Sequence, residues 1–141
     1  MKKRRYIPIL LILIIVISIV FFFLKKDVGD VSNVSRKVTA SEVYSQKDIN
    51  DAMDAVVKYF RNHFEGCKLT QLCYKDSTSV TESGGWAIQY NADQAIVLLS
   101  TFDVDAAGGD GSFNPNETYS DWQWILVRNK GGAWEVKTWG Y

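Results

Sequence analysis

Apolar and polar positions follow three patterns along this chain. In the first, residues 6–24 carry no charged side chain and lie between "MKKRR" and the pair Lys25 and Lys26. As a helix these nineteen residues would rise roughly 28 Å at 1.5 Å each, close to the thickness of a bilayer's hydrocarbon core. The run exceeds the about 7–15 apolar residues of a cleaved export signal. No small-x-small cleavage motif follows Leu24 closely, the nearest being "VTA" at 38–40. Pro8 falls in the first turn, where a missing N–H costs little. The pattern predicts an uncleaved transmembrane signal anchor over residues 1–26. Lys2, Lys3, Arg4 and Arg5 outweigh Lys25 and Lys26, which by the positive-inside rule places the N-terminus in the cytoplasm. The expected location is thus the cell membrane, single-pass, with the C-terminal part extracytoplasmic.

The second pattern is helical. Ser45 with Asp48 three residues later reads as a capping box. Ile49, Ala52, Met53, Val56, Val57, Phe60 and Phe64 then recur at helical spacing, and Gly66 supplies a stop. Asp51, Asp54, Lys58 and Arg61 form the opposite face, with Asp54 and Lys58 spaced as an i,i+4 ion pair.

The third pattern is β-like. "CKLTQLCY" at 67–74 reads as a strand. The near-continuous apolar run "QAIVLLSTFDV" at 94–104 reads as the central strand. Residues 121–128 and 133–141 are β-rich and flank "NKGG", a hairpin signal. Residues 82–93 read as irregular, with one helical turn around Trp86 to Tyr90. Residues 27–44, polar with isolated valines, read as a linker. The expected organisation is an anchor at 1–26, a linker at 27–44 and an α+β domain at 45–141, with one long helix on a curved antiparallel sheet of about four strands.

That order, with "YFRNHF" closing the helix and "WQWILVR…WEVKTWGY" at the end, resembles small bacterial extracytoplasmic domains of the cystatin-like and nuclear-transport-factor-two-like superfamily. The resemblance covers about Ser45 to Tyr141 and rests on element order rather than on a catalytic motif. It implies a helix laid on a curved sheet, with a cone between them that serves as core, ligand pocket or active site. It does not select among those functions.

Charge separates the chain into two parts. The whole is neutral, but from Asp27 onward ten basic residues face sixteen acidic ones, a net charge of −6. An acidic domain lacks the basic footprint that nucleic acid requires. No G-x-S-x-G and no phosphate-binding glycine loop is present. The one histidine, His63, flanks the apolar stripe, as a packed boundary residue or as an acid or base in the cone. Cys67 and Cys73 lie about 20 Å apart if their strand is extended, too far for a disulfide without a sharp bend. A bridge between them stays open beside two free thiols.

The loop 103–117, "DVDAAGGDGSFNPNE", groups Asp103, Asp105 and Asp110 among glycines, as a calcium site or as a turn-rich connection. The EF-hand spacing fails at Ala107 and Asn114. No other cofactor is expected. Trp86, Tyr90, Trp122, Trp124 and Trp134 are candidates for a ligand or partner surface, against the alternative of core packing. The expected function is an anchored extracytoplasmic binding or interaction module. Its partners would be the membrane, through the N-terminal helix, and a protein, a cell-envelope component or a small ligand. The alternative is a small isomerase- or dehydratase-like enzyme using the cone.

Overall fold

In this computed structural model the described residues are 12, 14–16 and 28–141. The long helix α1 (Gln46–His63) starts as its sequence dictates. Asp48 N donates to Ser45 Oγ and Ser45 N donates to Asp48 Oδ2, closing the capping box. Its apolar stripe of Ile49, Ala52, Met53, Val56 and Phe60 is almost entirely dry. At its C-terminal end Gly66 takes φ +67°, and a Cβ there would meet the Asp105 carboxylate at 2.4 Å.

The sheet has five strands in the order β1-β2-β3-β4-β5: β1 (Ser35–Val38), β2 (Cys67–Tyr74), β3 (Gln94–Val104), β4 (Thr118–Arg128) and β5 (Glu135–Gly140). It is mixed: β1 runs parallel to β2, and the other pairs are antiparallel. This corrects the expected four-stranded antiparallel sheet. The fifth strand comes from the segment read as a linker, whose isolated Val31, Val34 and Val38 pack against the core. Gly29 and Val28 both donate their N–H to Arg61 O, and Asp30 bridges to Lys68. Residues 28–44 are therefore built into the domain.

β3 is dry on both sides, with every residue from Ala95 to Ser100 buried. Ile96, Leu98 and Phe102 face α1, together with Leu69, Leu72, Trp124 and Leu126. By strand alternation Ala95, Val97 and Leu99 face the other way, and the second helix, α2 (Asp76–Gln89), covers them. The sequence reading gave that segment a single turn, because serine, threonine and two glycines hide a helix from propensity and periodicity alike.

Three bulges interrupt the strand alternation. The extra residues are Thr70 in β2, one of Ser120 and Asp121 in β4, and Lys137 in β5. Asp121 adopts φ +55° there. Each bulge flips the facing of everything beyond it.

Among the described residues no helix is long and apolar enough to cross a membrane. A span needs about 20 consecutive helical residues. Of the run 6–24 the structure describes residue 12 and residues 14–16, helical and exposed, and the remainder lies outside the described residues. The transmembrane anchor is thus not supported, and the signal-anchor, single-pass and extracytoplasmic assignments fall with it.

Gly29 tests the docking of the N-terminal segment. A Cβ at this position would lie 2.5 Å from Phe60 O, so Gly29→Ala should destabilise the fold by roughly 1–3 kcal/mol, as overpacking does. Chemical denaturation reads this directly, and an unchanged midpoint would mean that the segment hangs free.

Candidate functional site

The end of β4 carries the residue that organises the exposed side of the domain. Arg128 Nε donates to Gln94 Oε1 at 2.7 Å, and its Nη1 donates to Asp48 Oδ1 at 2.7 Å. The guanidinium lies 4.2 Å from the centroid of the Trp134 ring, a cation–π distance. One side chain thereby joins the start of β3, the first turn of α1 and the hairpin between β4 and β5. The hydrogen bond from Ser45, followed by that from Arg128, holds the Asp48 carboxyl below its ordinary value. The hairpin turns on the "NKGG" signal, with Gly132 N donating to Asn129 O and Gly131 at φ +75°.

Between the flank of α1 and this hairpin runs a groove. One part, of 330 Å³, is lined by Asp51, Asp54, Ala55, Lys58, Arg128 and residues 132–134. The other, of 200 Å³, is lined by Ala55, Lys58, Tyr59, Asn62, His63, Trp134 and Val136. Ala55, Lys58 and Trp134 border both parts. Trp134 is 6% exposed, and its buried indole N–H has no hydrogen-bond partner among the described residues. An unpaired buried donor costs about 1–3 kcal/mol. His63 is exposed and lies against Tyr59 with ring centroids 4.2 Å apart, and Tyr59 in turn meets Trp139 at 4.9 Å. The expected Asp54–Lys58 pair does not form: Asp54 binds Arg36 of β1 at 2.6 Å, and Lys58 stands at the groove's rim.

The five aromatic candidates do not share a surface. Trp124 is fully buried, with its N–H donating to Ser100 Oγ at 2.8 Å. Trp122 is half-buried among Phe102, Phe113, Tyr119 and Tyr141. Trp86 of α2 and Tyr90 just past its end stack on one another, across the sheet from α1. Only Trp134 reaches the groove. Alternation predicts that Trp134 and Trp139 face opposite ways, yet both turn toward α1, because the bulge at Lys137 lies between them. Sequence reasoning missed Tyr59, Asn62 and Arg128; the signal for Arg128 was a long cation at a strand end directly before a turn.

The loop aspartates are engaged separately. Asp103 Oδ1 accepts from Thr118 Oγ1, Asp105 Oδ1 from the N–H groups of Ala107 and Gly109, and Asp110 Oδ1 from Ser112 N and Oγ. Among the described residues no group of three or more metal-ligating side chains occurs. These contacts fold the loop back on itself, as Asp and Asn do in turns. Cys67 and Cys73 are free thiols. The bulge at Thr70 sends Cys67 into the core under α1 and Cys73 to the opposite face. Burial, with Asp105 and Asp110 adding to it, pushes the Cys67 thiol up to about 11, so at neutral pH it is a packing group rather than a nucleophile.

The space between α1 and the sheet is filled by Phe60, Phe64, Phe102, Tyr74 and Trp124. Tyr74 donates to Asp76 Oδ1 at 2.7 Å, and its hydroxyl lies 2.9 Å from Ser41 Oγ. Burial raises the Tyr74 hydroxyl to about 12. No protein family, curated protein or solved structure matches this chain.

Removing the organising cation should weaken the whole edge. Arg128→Met leaves Asp48 Oδ1 and Gln94 Oε1 without the Arg128 donor, and a loss of about 1–3 kcal/mol is expected in urea titration. Asp48 titrates below its usual 3.8 in the folded protein. Its contribution is therefore complete above that pH and fades as pH falls through the lowered folded value. The gap between wild type and variant should narrow below about pH 4.

Proposed function

We propose that this domain binds rather than catalyses, and that its working surface is the groove between α1 and the β4–β5 hairpin. The observation that carries this reading is Trp134: a large, rigid ring at the floor of an open groove, bordering both of its parts and pinned by Arg128. Rings held in this way are what binding sites use for area at low entropic cost.

The occupant that suits the groove is a short extended segment of polypeptide. The groove runs beside β5, an edge strand, and strand addition next to a helix is a recurring way to hold such a segment. Asp51 and Asp54 border one part of the groove, and Asn62 and His63 border the other. The bulge at Lys137 and the Glu135–Lys137 pair restrict pairing along β5, as edge strands commonly do to avoid indiscriminate association. An isomerase or dehydratase would need an acid or base facing a cavity under α1, and no observation favours one.

A random peptide library panned on the full-length chain, held in mild non-ionic detergent because of the uncharged run 6–24, tests this reading. Selected peptides should bind at least about tenfold more weakly to Ala55→Arg, roughly 1.4 kcal/mol, while the variant melts like wild type. Peptides indifferent to that substitution, or a library that fails to enrich, would sink the proposal.

A further inference from the structure

The second helix differs in kind from the first. We infer that α2 is a strap, pinned at both ends, that melts and re-forms while the rest of the domain stays folded.

Both ends of α2 are fixed. At the start, Asp76 accepts the Tyr74 hydroxyl and donates its N–H to Thr39 Oγ1 at 2.9 Å. Just past its end, Asn91 turns the chain at φ +48°, and the Asp93 carboxylate accepts from Lys130 N at 2.7 Å.

The stretch between these ends is weak. Lys75, at the N-cap, offers no side-chain hydrogen bond. Gly84 and Gly85 sit inside the helix with nothing within 4 Å of where a Cβ would be, so no packing or close approach requires glycine there. Ile88 is 83% exposed and Val80 43%. Ser79 is the one residue of this helix that is buried.

Ser79 is also the latch. Pairing between β2 and β3 ends at Cys73 and Leu99, so the N–H of Val97 has no strand beside it. It donates instead to Ser79 Oγ at 3.1 Å. Beneath the strap lie Ala95, Val97, Leu99, Ile125 and Val127, all buried and all outside the core cluster under α1. Lifting α2 therefore uncovers a second apolar face without disturbing the first. α2 lies close on the sheet but contributes no buried apolar side chain of its own, and elements with few buried apolar side chains open below the global unfolding free energy.

Native-state hydrogen exchange of the full chain, in the same detergent, tests this. Amides of α2 should exchange at least about a hundredfold faster than those of α1 and of β3 facing β4, by sub-global opening. Val97 should exchange with α2 rather than with Ile96 and Leu98, because its amide is bonded to Ser79 of that helix. Val56→Ala, a cavity under α1, should speed exchange in α1 and β3 about tenfold or more while leaving α2 unchanged. Ile49→Val serves if that variant is too unstable. Ser79→Ala should speed α2 and Val97 by up to about tenfold, and Gly84→Ala should slow α2 roughly fivefold. Protection of α2 equal to that of β3, or α2 responding to Val56→Ala as β3 does, would overturn the strap.

Discussion

The whole domain depends on one strand being dry on both faces. Residues 95–100 of β3 offer no polar side to water except the hydroxyl of Ser100, which Trp124 uses. Such a strand needs a cover above, a cover below and hydrogen-bond partners along both edges. The covers are unequal. α1 brings a capped start and a continuous apolar stripe, whereas α2 brings serine, threonine and glycine. The edges are unequal as well. β4 runs the length of β3, whereas β2 stops short and leaves a backbone donor that a side chain must satisfy.

The exposed side of the domain inherits its shape from Arg128. Because it spans from Gln94 to Asp48 while lying over Trp134, the hairpin cannot settle flat against α1. The groove is what remains between them. Its chemistry is mixed, with an aromatic floor, an alanine wall and charged rims of both signs.

Local signals in the sequence were accurate where the physics is local. The capping box at Ser45, the apolar run of β3 and the NKGG turn each needed only neighbouring residues to be understood. Features that depend on distant partners were hidden. β1 is a strand because β2 lies beside it, not because "SRKV" is strand-like. Asp54 leaves Lys58 for Arg36, eighteen residues earlier in the chain. Strand alternation misplaced Trp139 relative to Trp134, because a bulge is one unmarked residue. The apolar run 6–24 shows a related limit: its length suggested a membrane span, and no helix among the described residues supports one.

Those same bulges have a consequence for how the sheet assembles. Antiparallel strands can ordinarily slip by two residues and still point every side chain to its proper face. Here the bulges of β2 and β4 flank β3 at one level, beside Thr101 and Phe102, and a slip of either neighbour would part them. Bulges at Thr70, at Ser120 or Asp121 and at Lys137 act like the teeth of a key along three of the four strand junctions. The native register is thus marked in the backbone as well as in the packing of side chains.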